Sequence, residues 1–137
     1  MDKLHQVFLS NGCNLYGIVN GIYELRLKEL EELDYGIKYE KEEVIGISKS
    51  IFSDIKTGRA RPALNTIITF CIFCELEPQY SLIVIEAAGY KLTLTYDIDR
   101  AYMKLIQEHY YDGIEEANNL LEEWKFDKKY YLLDYNK

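Results

Sequence analysis

The amino-acid sequence predicts an all-α protein of ordinary domain size. Only two of its 137 residues are proline and eight are glycine, so few positions interrupt a helix. Apolar residues recur at helical spacing in several segments, and Ser, Asn, Asp or Gly stand where these segments begin and end. Hydrophobic residues make up 48% and charged residues 28% of the chain, a balance typical of a globular protein that buries a core.

The cysteine content and the apolar runs predict a cytoplasmic protein. Three cysteines cannot all pair in disulfides, and no basic and apolar leader opens the sequence. The longest apolar run, around "FCIFC", is far shorter than the ~18 residues that a membrane-spanning helix needs. We therefore expect a reducing compartment and no membrane-spanning segment.

The first two predicted helices cover residues 2–10 and 15–33. The first ends at the turn-forming sequence "SNGCN", in which Asn14 is placed to cap the second. The second carries aliphatic residues at helical spacing, and Gly36 offers a stop. A weaker helix is predicted in "KYEKEEVIG", where the apolar residues lie only at the end.

The segment "SKSIFSDIKTG" predicts a short helix with one apolar side. Ser48 is placed to cap its first turn, and Gly58 is placed to end it. Ile51, Phe52 and Ile55 fall on one side of this helix, and Phe52 and Ile55 are expected to be buried.

Two buried helices are predicted next. Pro62 starts the apolar segment "ALNTIITFCIFCELE", which Pro78 ends, and "QYSLIVIEAAGY" stops at Gly89. The alternating "KLTLTY" permits a strand, although six residues alone cannot make a sheet. This link near residue 92 is the expected boundary between two parts, an N-terminal helical domain (1–92) and a C-terminal helical extension (93–137).

Two helices are predicted in the C-terminal extension. "DIDRAYMKLIQEHYYDG" begins with Asp97 as its cap and stops at Gly113, and "IEEANNLLEEWKF" forms the second helix. The pattern of "DKKYYLLDYNK" leaves helix and coil open. Stripes of Leu, Ile and Tyr, together with Trp124, either complete a monomeric core or form a homodimer interface.

Positive charge is concentrated in one stretch of an acidic chain. The net charge is −7, yet residues 44–62 carry +3, whereas residues 24–43 and residues 97–137 each carry −4. A polyanion would be repelled by most of the surface and would approach along the basic stretch. This pattern favours nucleic-acid binding by residues 44–62.

The stretch "GISKSIFSDIKTGRARP", residues 46–62, resembles the second half of the helix-turn-helix in lambda-repressor-like (XRE/Cro-type) DNA-binding domains. That family usually shows a Gly–aliphatic–Ser turn, a short helix with apolar residues inward, a glycine, a basic pair, and a proline that opens a buried helix. The similarity continues into "EAAGY" and covers about residues 44–90. It implies a lambda-repressor-like helix-turn-helix bundle with a C-terminal helical extension, acting as a bacterial or phage transcriptional regulator that binds double-stranded DNA as a homodimer.

The resemblance also implies two groups of DNA contacts. The exposed side of the helix capped by Ser48 would enter the major groove, and the residues after that helix would hold the phosphate backbone. The base-reading set is Ser48, Lys49, Ser50, Ser53 and Asp54, and the phosphate-binding set is Lys56, Arg59, Arg61, Asn65 and Thr66.

The helix before Gly46 departs from the family pattern. Counting back at the family's usual spacing places Lys41 and Glu42 where an aliphatic and a small residue normally pack at the helix crossing. A glutamate buried there is costly without a partner. We therefore expect this helix either to be shifted by a residue or two or to pack differently.

The sequence supports an enzymatic or metal-binding function more weakly than it supports DNA binding. Cys71 and Cys74 form a C-x-x-C pair, but the other His and Cys residues are not arranged to complete a zinc site, so burial in the core is expected. His109 could serve as a base oriented by Asp112, but residues so close in sequence mostly point to different sides of a helix. We expect no enzyme activity, no metal and no cofactor.

A protein partner is the main alternative to DNA. The acidic segments and the abundance of tyrosine are suited to contacts with a basic protein. The sequence is therefore also compatible with a protein-interaction module on a helix-turn-helix scaffold, such as a mobile-element antagonist of a host protein, with weak or no DNA binding.

Overall fold

The computed structural model describes residues 2–33 and 38–133, and within these residues every regular element is helical. The prediction of an all-α fold is confirmed. The stop predicted at Gly36 lies outside the described residues. The elements in the described ranges are α1 (Lys3–Asn11), α2 (Leu15–Leu33), α3 (Lys41–Ile45), α4 (Lys49–Thr57), α5 (Leu64–Phe73), α6 (Pro78–Ala87), α7 (Asp97–Glu108), α8 (Gly113–Glu123) and a 3-10 helix (Lys128–Tyr130).

The chain divides into two compact units, residues 1–62 and residues 63–137. This division differs from the expected boundary near residue 92, which would have grouped α5 and α6 with the N-terminal helices. The reason is that α5 packs against α6, α7 and α8, and α6 packs against α7. The first unit therefore holds α1 to α4, and the second holds α5 to α8.

The first unit is organised around α2, against which α1, α3 and α4 pack. The cap predicted for the second helix is confirmed. The Asn14 Oδ1 atom accepts a hydrogen bond from the Gly17 N–H at 3.1 Å, as predicted for the start of α2. The cap of α1 is Asp2, whose Oδ1 accepts from the Leu4 N–H at 3.1 Å. Cys13 lies exposed in the turn between the two helices.

A close approach between α1 and α2 depends on glycine. A Cβ atom built on Gly21 would lie 2.6 Å from the Cγ1 atom of Val7, a distance that real Cβ atoms do not adopt. The absence of a side chain at this position therefore lets α1 lie directly on α2. The buried residues of the first unit are Phe8, Ile18, Val19, Ile22, Val44, Ile45, Ile47, Phe52 and Ile55.

The second unit is built around the apolar helix α5, whose residues from Thr66 to Ile72 are all buried. Pro78 opens α6 at its first position and does not end α5, which already stops at Phe73. From α7 the buried hydrophobic residues are Ala101, Tyr102, Leu105 and Ile106, and from α8 they are Ala117 and Leu121.

The link between α6 and α7 forms turns, and the strand considered for "KLTLTY" is absent from it. The Thr93 N–H and Oγ1 donate to the Asp99 Oδ2 atom at 3.0 and 3.3 Å, so the link is tied to the first turn of α7. Tyr96 occupies the cap position and Asp97 is the first helical residue, which corrects the predicted Asp97 cap. The helix α7 ends at Glu108, earlier than the Gly113 stop expected.

The end of the described chain is extended, and we call residues 130–133 the C-terminal segment. Tyr131 has φ −66° and ψ 151°, and Leu132 is buried. Side chains of α5, α7 and α8 hold this segment by hydrogen bonds to its main chain. The sequence left helix and coil open for the residues after Phe126. As far as Leu133, these residues form a 3-10 turn followed by extended chain.

Among the helices that the structure describes, none combines the length and the apolar character needed to cross a membrane.

Candidate nucleic-acid interface

The turn between α3 and α4 is shaped by Gly46 and Ser48. Gly46 has φ 72° and ψ 16°, in the left-handed region that glycine adopts without strain, and its N–H donates to the Glu42 carbonyl at 3.1 Å. Ile47 is buried and anchors the turn in the core. Ser48 then caps α4, because its Oγ accepts from the Ile51 N–H at 3.3 Å. The predicted cap is confirmed.

The orientation of α4 follows from its apolar side. Phe52 and Ile55 are buried, and the ring of Tyr16 on α2 meets the ring of Phe52 edge-on at a centroid distance of 5.7 Å. Gly58, with φ 71°, ends the helix as predicted. Because one side of α4 is fixed against α2, the opposite side is presented to solvent.

That opposite side carries eight of the ten residues predicted to contact DNA. These eight residues lie on α4, at its cap or in the four residues that follow it. They are therefore close together in the first unit. The half-buried members are Ser48, Ser53 and Asp54, and the exposed members are Lys49, Ser50, Lys56, Arg59 and Arg61. We call the four cations Lys49, Lys56, Arg59 and Arg61 the basic surface.

Arg59 folds back along the exposed side of α4. Its Nε donates to Thr57 Oγ1 at 3.1 Å and its Nη2 donates to Ser53 Oγ at 3.3 Å. The same Nη2 lies 3.8 Å from the Asp54 Oδ1 atom. Three side chains of α4 therefore hold the guanidinium over the last turn of the helix, an arrangement that the sequence did not predict.

Lys41, the first residue of α3, lies against two aromatic rings of the first unit. Its Nζ lies 4.2 Å from the centroid of the Phe52 ring and 5.4 Å from that of Tyr23, as in a cation–π contact. Glu42 is only half-buried, so no fully buried carboxylate arises. The two expectations for this helix, a shift or a different packing, stay predictions.

A pocket of about 360 Å³ lies beside the basic surface, between α3 and α4. Its lining carries both signs of charge, from Lys41, Lys49 and Lys56 and from Glu40 and Glu42. The other lining residues are Tyr23, Tyr39, Phe52 and Ser53.

The acidic neighbours of this pocket also affect Tyr23. Burial raises the pKa of its phenol first, and the carboxylates of Glu24, Glu31 and Glu40 raise it further. The charge next to Tyr23 is therefore negative, whereas Lys49 and Lys56 of α4 line the same pocket.

The two remaining predicted contacts, Asn65 and Thr66, belong to the second unit. The Asn65 Nδ2 donates to the Tyr131 carbonyl at 3.1 Å. Thr66 is buried, and its N–H donates to the Ala63 carbonyl at 3.0 Å. Both residues take part in the packing of the second unit, so neither is included in the DNA-binding surface proposed below.

The other candidate sites lie in the second unit. Cys71 is buried with its Sγ 4.0 Å from the Ser81 carbonyl, and burial raises the pKa of its thiol to about 12. His109 Nδ1 lies 2.8 Å from Asp112 Oδ2, contrary to the expectation that these side chains point apart, because α7 ends before them. In the described part of the chain, no group of three or more His, Cys, Asp or Glu side chains is placed to hold a metal ion.

Comparison with protein-family models, with curated proteins and with solved structures found no match to this chain.

Proposed function

We propose that this chain is a sequence-specific DNA-binding protein of the lambda-repressor-like kind, in which α4 is the recognition helix. The observation that supports this proposal is the arrangement of α4, which is packed by Phe52 and Ile55 and presents short polar side chains and cations to solvent. A helix exposed in this way fits the width of the major groove. A transcriptional regulator that acts as a dimer is the role proposed for it.

The charge distribution favours one direction from which DNA would approach the protein. The basic surface lies in residues 44–62, which carry +3, while the protein as a whole carries −7. Phosphates attract Lys and Arg without regard to sequence, whereas side chains at the base edges discriminate between sequences. In this proposal Lys56, Arg59 and Arg61 hold phosphates, and Ser48, Lys49, Ser50, Ser53 and Asp54 face the bases.

The position of Arg59 gives it a defined role in the proposal. Its guanidinium is aligned over the last turn of α4 by Ser53, Asp54 and Thr57, so it needs little reorganisation to meet a phosphate. Its pairing with Asp54 is exposed to solvent and is therefore weak. A phosphate oxygen can replace the Asp54 carboxylate as its partner.

Binding to a labelled random duplex pool at low salt, followed by selection of the bound duplexes, tests the proposal. The test variant is Lys56→Ala/Arg59→Ala/Arg61→Ala, and the matched control is Lys3→Ala/Lys28→Ala/Lys91→Ala, which removes three exposed cations elsewhere. We expect the test variant to lose binding and the control to keep it. Equal losses in both variants, or a wild-type chain that retains no duplex, would overturn the proposal.

A protein-interaction module with weak or lost DNA binding is the second candidate. It is favoured by Glu40 and Glu42, which line the pocket beside Lys49 and Lys56 and repel phosphate there. This candidate predicts capture of a basic protein, but no duplex, by the immobilised chain. The Glu40→Lys/Glu42→Lys variant should lose that protein, and its retention would argue against an acidic docking surface.

A further inference from the structure

The serine hydroxyls on the exposed side of α4 are engaged within the protein. Ser48 Oγ accepts from the Ile51 N–H at 3.3 Å and lies 3.2 Å from Ser50 Oγ. Ser53 Oγ accepts from Arg59 Nη2 at 3.3 Å. A hydroxyl both donates and accepts, so it can pair with the donor and the acceptor atoms of bases alike. The three serines therefore discriminate poorly between bases.

Asp54, the acid of the base-reading set, is placed less well for a base contact than the start of the helix. Its Oδ1 atom lies 3.8 Å from Arg59 Nη2. It follows Lys49 by five residues, which places it about 7.5 Å further along the helix axis. In helix-turn-helix complexes the N-terminal residues of the recognition helix contact the base edges. Asp54 is therefore better placed to hold Arg59 than to contact a base.

Lys49 is the first residue of α4, and its side chain is exposed. Its ammonium group makes no hydrogen bond or ion pair with any residue that the structure describes. Because an ammonium group only donates, it distinguishes acceptors from donors, as a hydroxyl does not. In the major groove guanine presents the acceptors N7 and O6 side by side, and lysine is one of the side chains that pair with both.

We propose that Lys49 determines the sequence preference of this protein, and that it selects duplexes with guanine at the base pair that faces the start of α4. Its ammonium group donates to N7 and O6 of that guanine. The inference rests on the proposed function, since it names the base that α4 selects in the DNA.

Lys56 is the matched lysine for a test of this inference. It follows Lys49 by seven residues, so it lies on the same side of α4 about two turns further on. Both lysines are exposed. Lys56 belongs to the phosphate-binding set, and a phosphate contact carries no information about the base. The same substitution at the two positions therefore separates base selection from the attraction of charge.

Selection of bound duplexes from a random pool tests the inference, with the wild type, Lys49→Gln, Lys49→Arg and Lys56→Gln treated in parallel. We expect the wild type to enrich guanine at one position of its site. Lys49→Gln should enrich adenine there instead, because glutamine pairs with adenine N6 and N7. Lys49→Arg should keep guanine, since arginine also donates to N7 and O6. Lys56→Gln should keep guanine and bind all the selected duplexes more weakly.

Fluorescence anisotropy with pairs of duplexes that differ only at this position measures the size of the preference. The wild type should bind the guanine duplex about tenfold more tightly than the adenine duplex, and Lys49→Gln should reverse the order. A reversed preference cannot result from partial unfolding, because unfolding weakens the binding of both duplexes alike.

A modified base gives a second measurement that does not require selection by the variant. In 7-deazaguanine a C–H group replaces N7, so the base lacks one of the two acceptors. At the enriched position it should weaken the binding of the wild type more than that of Lys49→Gln. Equal losses in the two proteins would contradict a contact between Lys49 and N7.

The outcomes separate this inference from the proposed function. If the wild type and Lys49→Gln enrich the same base, or if only Lys56→Gln changes the base, the inference is wrong while α4 remains a DNA-binding helix. If the wild type retains no duplex at low salt, the proposed function and the inference are both wrong.

Discussion

The guanidinium of Arg59 lies 3.8 Å from the carboxylate of Asp54, so one cation of the basic surface stands beside the one acid of α4. The side chains of Arg59 and Asp54 are 68% and 41% exposed, so water screens the pair. The pair therefore contributes little to folding. Its consequence is functional, because Asp54 weakens the local positive potential that Arg59 supplies.

Replacement of Asp54 by asparagine should separate its effect on folding from its effect on the local positive potential. Asp54→Asn is expected to change the free energy of unfolding by less than about 1 kcal/mol, because the ion pair is exposed. Non-specific duplex binding should become tighter, since a charge that repels phosphate is removed. Fluorescence anisotropy with a labelled duplex checks the affinity. Weaker binding to all sequences alike would instead mean that Asp54 acts by holding Arg59 in place.

Removal of two cations after α4 should change the salt dependence of binding. Arg59→Ala/Arg61→Ala is expected to weaken duplex binding about equally across sequences. It should also flatten the slope of log affinity against log salt by ~2 units, because about one counterion is released per phosphate contact. Titrations at several salt concentrations measure this slope. An unchanged slope would remove the phosphate role from both arginines.

The turn at Gly46 should not tolerate a side chain without loss. Gly46→Ala is expected to lower the free energy of unfolding by about 1–2 kcal/mol, because the residue has φ 72°. Gly46→Asn is the matched comparison, and it should cost less because asparagine adopts the left-handed region more readily. Urea unfolding followed by circular dichroism measures both. If alanine and asparagine behave alike, backbone strain is not what limits the position.

The contact of Lys41 with Phe52 should contribute mainly through the aliphatic stem. Lys41→Ala is expected to destabilise the chain by about 1 kcal/mol, because both the stem and the ammonium leave the ring. Lys41→Met keeps an unbranched stem of similar length and should stay within about 0.5 kcal/mol of the wild type. The free energies of unfolding in urea decide between them. A methionine variant as unstable as the alanine variant would assign the effect to the charge.

The stability of the second unit should fall at alkaline pH. Burial raises the pKa of the Cys71 thiol from 9.0 to about 12, so the folded state keeps a proton that the unfolded state releases. This contribution is fully present below pH 9 and is lost as the pH rises toward 12, by up to about 1.4 kcal/mol per pH unit. Burial also raises the pKa of Tyr102, which acts in the same direction.

Trp124, the one tryptophan of the chain, lies in the second unit and reports this unfolding by its fluorescence. Urea titrations between pH 8 and pH 11 should show a steeper loss of stability in the wild type than in Cys71→Ala. The alanine variant will be less stable at every pH because it leaves a small cavity. The decisive quantity is therefore the dependence on pH, and parallel curves would contradict the raised thiol pKa.

Local signals account for what the sequence predicted correctly. Ser48 and Gly58 delimit α4 because a serine cap and a left-handed glycine act within a few residues of their own position. The apolar side of α4 was predicted for the same reason, since helical spacing alone determines which residues share a face. The eight contact candidates around α4 could therefore be placed together without a structure.

Tertiary packing accounts for what the sequence did not predict. Arg59 pairs with Asp54, and Lys41 lies on Phe52, because of side-chain conformations that depend on neighbouring residues. The extended form of residues 131–133 depends on side chains such as Asn118, which is close in space but belongs to another element. Partners that lie far apart in the sequence cannot be predicted from the pattern of residues along the chain.

The unequal exposure of the three cysteines makes the native chain convenient to label. Cys13 is accessible in the turn between α1 and α2, whereas Cys71 and Cys74 are buried, and the raised pKa of Cys71 keeps its thiol protonated at neutral pH. A maleimide dye added to the folded protein should attach at one position only. Fluorescence experiments on the first unit can therefore begin without any engineered cysteine.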